Sequence, residues 1–148
     1  FENYNPLFFS EQHYLLSRYL FYVIIPTDAQ SPGAAAARVE WFADTLLHYA
    51  DGGVKQRWQS GMNAVSALAS KELGTPTPDR AGVERLVARM ARNEASPSTE
   101  ADRFFGDLKR MAVEGFCLSE IGMKDYLRYQ GNRAVDEFPG CTHPEHQS

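Results

Sequence analysis

The amino-acid sequence predicts a single all-α domain of five to six helices followed by a long irregular carboxy-terminal arm. In five segments apolar residues recur at steps of three and four, and turn or capping residues separate these segments. No stretch of useful length alternates with the two-residue period of a strand. A chain of 148 residues suits one domain with its own core. We expect this domain to span 1–148, with a helical core over about 8–127 and the arm over about 128–148.

The first two predicted helices lie in the amino-terminal third of the chain. The first runs from about Ser10, a fair N-cap, to Ile24, because Pro26 stops it. The second runs from about Gly33 to Ala50, where a run of alanines raises helix propensity. The apolar stripes expected to face the core are Leu15, Leu16, Tyr19, Leu20 and Val23 in the first helix, and Val39, Phe42, Leu46 and Tyr49 in the second. Tyr14, Phe21 and Tyr22 lie off the first stripe, which predicts that the first helix is covered on more than one side.

Three longer patterns follow. The third helix runs from about Val54 to Leu73, with Gly74 as a C′ residue, and Thr75-Pro76-Thr77-Pro78 forms a stiff connector. The fourth runs from about Asp79, its N-cap, to Asn93, and the fifth from about Ser98 to Glu114. A short sixth helix, capped by Ser119, is predicted to end at Leu127. The residues expected to face inward are Trp58, Met62, Val65, Leu68 and Ala69; Val83, Leu86, Val87 and Met90; and Phe104, Phe105, Leu108, Met111 and Ala112.

The charge of the chain disfavours two classes of partner. The formal net charge is −4, and the basic residues are scattered. Clustered positive charge is what binds nucleic acid or an anionic membrane surface, so neither is expected. The arginines of the fourth helix (Arg80, Arg85, Arg89 and Arg92) are interpreted as a solvated face rather than an anion site. The most apolar window, Leu7 to Ile25, is interrupted by polar and charged residues, so no membrane span is predicted.

The sequence predicts no catalytic, cofactor-binding or metal-binding residues in this chain. No Gly-x-Gly-x-x-Gly follows a strand, and Gly-x-Ser-x-Gly is absent. Carboxylates are scattered, without a pair beside a base. His13 and His48 lie within helical patterns, where a surface or core histidine is the favoured interpretation.

The segment from Glu114 to His146 contains both cysteines and most of the candidate site residues. Cys117 and Cys141 either form a disulfide, which would close a loop of about 25 residues and stabilise the fold by roughly 3 kcal/mol, or remain two separate thiols. With His143 and His146 they also offer ligands of the kind that zinc prefers, but the spacing favours a metal site only weakly. We instead expect this segment to meet a partner, because aromatic residues are enriched at interfaces. The predicted interface residues are Phe116, Tyr126, Tyr129, Phe138, Pro139, His143 and His146.

Two parts of the chain resemble a known family. The stretch GFCLSEIGMKDYLRYQGN from Gly115, the stretch EFPGCTHPEH from Glu137, and VIIPTDAQSPGA from Val23 are similar to the gluconate 2-dehydrogenase subunit 3 family. The resemblance implies a small, all-helical, non-catalytic subunit. Its implied partner is a large FAD-dependent dehydrogenase of the glucose-methanol-choline class, such as a glucoside 3-dehydrogenase, which oxidises an alcohol of a sugar or sugar acid to a ketone. The flavin belongs to that partner, and cytochrome c or a quinone accepts the electrons.

The resemblance also implies a bacterial periplasmic location. The chain begins with Phe1 rather than Met, and we expect a leader, of the twin-arginine kind, to lie outside this sequence. Two other functions stay open from the residues alone: a free-standing helical binding or regulatory module, and a small metal-binding protein that uses the Cys/His tail.

Overall fold

The computed structural model describes residues 4–129 and 131. In them the chain forms six α-helices and a π-helix: α1 Glu11–Ile24, α2 Gly33–Ala37, α3 Val39–Tyr49, α4 Gly52–Leu73, α5 Arg80–Arg92, α6 Glu100–Cys117 and the π-helix Gly122–Tyr126. No strand occurs in this part of the chain, so the all-α prediction is confirmed. None of these helices combines the length and apolar character that crossing a membrane requires.

Several helix ends lie at the capping residues that the sequence indicates. The side chains of Ser10 and Asp79 accept hydrogen bonds from the first turns of α1 and α5, and Gly74 ends α4 in the left-handed conformation. The hydroxyl of Ser119 accepts from the backbone of Gly122 at 2.9 Å, as predicted for the short last helix. That helix is π-helical from Gly122, where an added Cβ would lie 1.8 Å from the carbonyl oxygen of Phe116.

Helix α6 lies at the centre of the domain. It packs against each of the other five α-helices, and α1 likewise packs against α2 to α6. The predicted inward stripes of α4, α5 and α6 are confirmed, since their members are buried, with Val87 partly exposed. Burying this much apolar surface is the main favourable contribution to folding.

The prediction of one continuous second helix is wrong, because the chain breaks this helix at Arg38. This residue adopts the left-handed conformation with φ 52°, so α2 and α3 are separate helices. The physical reason lies in Ala34 and Val39, which are both fully buried. In one continuous helix these two residues would point about 140° apart, and the break lets both face the core.

The predicted stripes of the first two helices are correct only in part. In α1, Leu16 and Leu20 are buried as predicted, whereas Leu15 and Tyr19 are exposed and Phe21 is fully buried. In α3, Leu46 and Tyr49 are exposed, and the buried face consists of Val39, Glu40, Ala43, Asp44 and Leu47. This face carries two carboxylates, those of Glu40 and Asp44, and the segment before α1 covers Asp44.

The interpretation of the α5 arginines as a solvated face is wrong for Arg89. Its guanidinium forms ion pairs with Glu72 of α4 at 2.6 Å and with Asp102 of α6 at 2.7 Å. The buried carboxylate of Asp102 also accepts from Asn93, Ser98 and the backbone of Thr99. Through these two ion pairs Arg89 of α5 is linked to both α4 and α6.

The pKa of Asp102 results from opposed influences. Burial acts to raise it, but hydrogen bonds from Thr99 and Ser98 outweigh burial and lower it to about 2. Since the ordinary value is 3.8, the ionised group favours the folded state.

We expect Asp102→Asn to lower the free energy of unfolding at pH 7 by about 2 kcal/mol through this pKa difference alone. The depressed pKa contributes stability that is fully present above the unfolded value and is lost as the pH falls through the folded value. The difference between wild type and variant should therefore shrink between pH 4 and pH 2. Urea denaturation across that range measures it, and a constant difference would contradict the assignment.

Two glycines within helices provide a matched pair for testing the core. An alanine Cβ at Gly61 would lie 2.2 Å from the ring of Phe104, whereas one at Gly106 would meet nothing within 4 Å. We expect Gly61→Ala to destabilise the fold by about 1–3 kcal/mol through overpacking. Gly106→Ala should leave stability unchanged or raise it by up to about 1 kcal/mol. Denaturation midpoints compare the two variants, and equal effects would contradict the close contact between Gly61 and Phe104.

Candidate functional site

A buried carboxylate anchors the amino-terminal segment to the helices. Asp44 of α3 is fully buried, and its oxygens accept from the hydroxyl of Tyr4 at 2.7 Å and from the backbone N–H groups of Leu7, Phe8 and Phe9 at 2.7–3.1 Å. Four donors offset the cost of burying the charge. The segment before α1 is thereby held against α3, with Tyr4 at a defined place.

A cleft of about 1020 Å³ lies where this segment meets α1, α2 and α3. One wall is aromatic. The rings of Tyr4 and Tyr14 are 5.3 Å apart, and the ring of Trp41 meets that of Tyr4 edge-on at 6.4 Å. Trp41 is 48% exposed, so part of this wall faces solvent.

The polar part of the cleft is a chain of hydrogen bonds between α1 and α3. The Nε of Arg18 donates to the hydroxyl of Tyr22 at 3.2 Å, and that hydroxyl donates to Oε1 of Glu40 at 3.0 Å. The guanidinium of Arg18 also lies over the Tyr22 ring. Glu40 is only 6% exposed, and its second oxygen, Oε2, accepts from no group that the structure describes.

Glu40 and Tyr14 line the cleft, and burial raises the pKa of each. Burial raises the pKa of Glu40, although hydrogen bonds and the nearby Arg18 and Arg38 act in the opposite direction. Burial, followed by the negative charges of Glu40 and Asp44, raises the pKa of Tyr14 to about 12. The tyrosine is therefore a neutral hydroxyl at physiological pH, and burial disfavours the charged form of the glutamate.

The cleft contains groups that can bind a ligand. It offers hydrogen-bond acceptors, arginine donors and aromatic faces. Neither His13 nor His48 is among the residues that line it. Over the described part of the chain, no group of three His, Cys, Asp or Glu side chains is arranged to hold a metal ion.

The structure places three of the predicted interface residues at the end of α6 and just beyond it. Phe116 is buried in the chain's own core, with its ring 5.4 Å from that of Tyr126. Tyr126 and Tyr129 are exposed, and so are Leu118 and Leu127. We call these four exposed residues the carboxy-terminal patch.

The remaining predicted site residues lie outside the described residues. They are Phe138, Pro139, Cys141, His143 and His146. Cys117 is half-buried at the end of α6. The disulfide between Cys117 and Cys141 and the interface role of the arm therefore stay predictions.

The cleft was not predicted from the sequence. A signal was present, since Glu40 and Asp44 are four residues apart and thus lie on one face of α3 beside Val39, Ala43 and Leu47. Carboxylates on the apolar face of a helix indicate a buried polar site, because an unpaired buried charge is costly. Which face of α3 is apolar became clear only from the fold.

One of three comparisons with known proteins found a match. A family model described as Gluconate 2-dehydrogenase subunit 3 matches residues 11–139, which include every α-helix. Comparisons with curated proteins and with solved structures found no significant match.

Two variants with opposite expected effects test the Glu40 site. Tyr22→Phe removes the donor to Oε1 and should destabilise the chain by about 1–3 kcal/mol at pH 7. Glu40→Gln removes the ionisable group whose charged form burial disfavours, and should make the chain more stable at pH 7. The raised pKa makes ionised Glu40 unfavourable to folding above that pKa, and the penalty disappears as the pH falls below the ordinary value of 4.5. Wild type and Glu40→Gln should therefore converge near pH 4 in denaturant titrations. A stability gain that persists at pH 4 would contradict this account.

Proposed function

The chain belongs to the gluconate 2-dehydrogenase subunit 3 family, and from that premise we propose that it is the non-catalytic small subunit of an FAD-dependent sugar or sugar-acid dehydrogenase. Membership makes the chain a small subunit of a dehydrogenase complex. The observation that carries the proposal is the family match along residues 11–139. The sequence supports it further, because this chain has no dinucleotide-binding fingerprint of its own.

In the proposed complex the large subunit performs the reaction. It holds FAD in its own nucleotide-binding fold, oxidises a secondary alcohol of a sugar or glycoside to a ketone, and passes the electrons to cytochrome c or a quinone. The present chain stabilises that flavoprotein and assists its export to the periplasm by the twin-arginine route.

The carboxy-terminal patch is the surface we propose for docking the large subunit. Large apolar side chains are exposed between the end of α6 and the start of the arm, at Leu118, Tyr126, Leu127 and Tyr129. Apolar and aromatic side chains concentrated on a surface are typical of interaction sites. The patch and the arm would then form one continuous interface.

We expect the double variant Leu118→Ser/Leu127→Ser to reduce recovery of the large flavoprotein at least tenfold, because buried apolar anchors commonly contribute 2 kcal/mol or more to an interface. The measurement is co-purification of the flavoprotein with tagged small subunit after co-expression, read by flavin absorbance and dye-linked dehydrogenase activity. Leu46→Ser, at an exposed leucine on α3, is the matched control and should leave recovery unchanged.

Deletion of Gly131–Ser148 tests the arm in the same assay. Helices α1 to α6 bury their apolar faces against one another, so circular dichroism should show an intact helical core while complex formation is lost. Full recovery of the flavoprotein with both the deletion and the double variant would refute this docking surface. Failure of the wild-type chain to recover any flavoprotein would refute the proposed function itself.

A further inference from the structure

We propose that Ser119 and Gly122 are positioning residues of the docking surface, because they hold the carboxy-terminal patch in one conformation before the large subunit binds. This inference rests on the proposed function, which supplies the partner. It goes further by assigning a role to two residues that present no apolar side chain of their own. Its basis is a set of close backbone contacts between the π-helix Gly122–Tyr126 and the end of α6.

Gly122 approaches the end of α6 more closely than a residue with a side chain can. An added Cβ at this position would lie 1.8 Å from the carbonyl oxygen of Phe116 and 2.7 Å from its carbonyl carbon. Both atoms belong to the backbone of α6, so no change of rotamer relieves the overlap. The segment after α6 therefore folds back on that helix only because residue 122 is a glycine.

The hydroxyl of Ser119 joins the two parts of this turn. It donates to the carbonyl oxygen of Phe116 at 2.6 Å and accepts from the backbone N–H of Gly122 at 2.9 Å. One side chain thus serves a carbonyl at the end of α6 and the first N–H of the π-helix. Removal of the hydroxyl takes a partner from both backbone groups at once.

Backbone hydrogen bonds extend this geometry to the exposed residues. The N–H of Leu127 donates to the carbonyl oxygen of Gly122 at 2.9 Å. The N–H of Tyr129 donates to the carbonyl oxygen of Met123 at 2.8 Å. Between them Arg128 adopts the left-handed conformation with φ 53°, which residues with a side chain rarely occupy.

Two uncommon backbone features therefore occur in the segment that carries the patch. A π-helix and a left-handed residue other than glycine persist only where the surrounding contacts fix them, and both concentrate at functional sites. Their result here is a fixed place for Tyr126, whose ring packs against the buried Phe116 at 5.4 Å while half of its surface stays exposed. A patch that is fixed in advance loses less conformational entropy on binding, and this strengthens the complex.

Hydrogen exchange of the isolated full chain tests the fixed conformation without the partner. The amides of Leu127 and Tyr129 should exchange about tenfold or more slowly than those of an unstructured chain. In Gly122→Ala this protection should be lost, while the amides of α6 keep theirs. Fast exchange of both amides in the wild-type chain, or unchanged protection in Gly122→Ala, would overturn the inference.

Co-purification of the flavoprotein with the tagged small subunit tests what the conformation does. Gly122→Ala leaves all four side chains of the patch in place in the sequence, so the assay reports on their arrangement. We expect it to lower recovery by about tenfold or more, because apparent affinity falls with the fraction of the chain in the competent conformation. Gly106→Ala, in α6, is the matched control and should recover the flavoprotein fully, since an added Cβ there meets no described atom within 4 Å.

Ser119 provides a milder test of the same geometry. Ser119→Ala should lower both the recovery and the protection of the Leu127 and Tyr129 amides, and Ser119→Thr, which keeps the hydroxyl, should restore them. Equal recovery with wild type and Gly122→Ala would overturn the inference and leave the docking proposal intact, as would equal losses in the two Ser119 variants. Failure of the wild-type chain to recover any flavoprotein would refute the proposed function, and this inference with it.

Discussion

The carboxylate of Asp44 holds the amino-terminal segment against the helical core, and the cleft depends on this contact. Four hydrogen bonds converge on one buried side chain, three of them from consecutive backbone N–H groups. They fix a segment that has no regular secondary structure of its own. Without them Tyr4 would not stand beside Tyr14 and Trp41, and the cleft would lose one wall.

Buried acids of this domain differ in how fully they are satisfied. Asp44 and Asp102 each accept several hydrogen bonds, and for Asp102 these bonds lower the pKa despite burial. Glu40 lies one helical turn from Asp44, yet one of its oxygens accepts from no group in the part of the chain that the structure describes, and burial raises its pKa. The first two stabilise the fold, whereas Glu40 weakens it. Residues that disfavour folding in this way are typical of functional sites.

The helical core and the surface that we propose for docking the large subunit lie on different parts of the molecule. Helices α1 to α6 bury their apolar faces against one another, with α6 at the centre. Four large side chains remain exposed beyond the end of α6: Leu118, Tyr126, Leu127 and Tyr129. A small subunit in a dehydrogenase complex needs both properties. It must fold around its own core, and it must keep apolar surface for its partner. Phe116 connects the two regions, because its buried ring supports that of Tyr126.

The sequence by itself determined the fold class, the caps at Ser10, Asp79 and Gly74, and the buried faces of α4 to α6. These features follow from local rules, since one strong apolar stripe leaves a helix a single way to pack. Only the tertiary structure decided the break at Arg38, the exposure of Leu46 and Tyr49, and the cleft around Glu40. The aromatic and apolar residues of α1 and α3 lie on more than one face, so periodicity could not select the buried one. That choice depended on Asp44, whose partners lie in a segment more than thirty residues away in sequence.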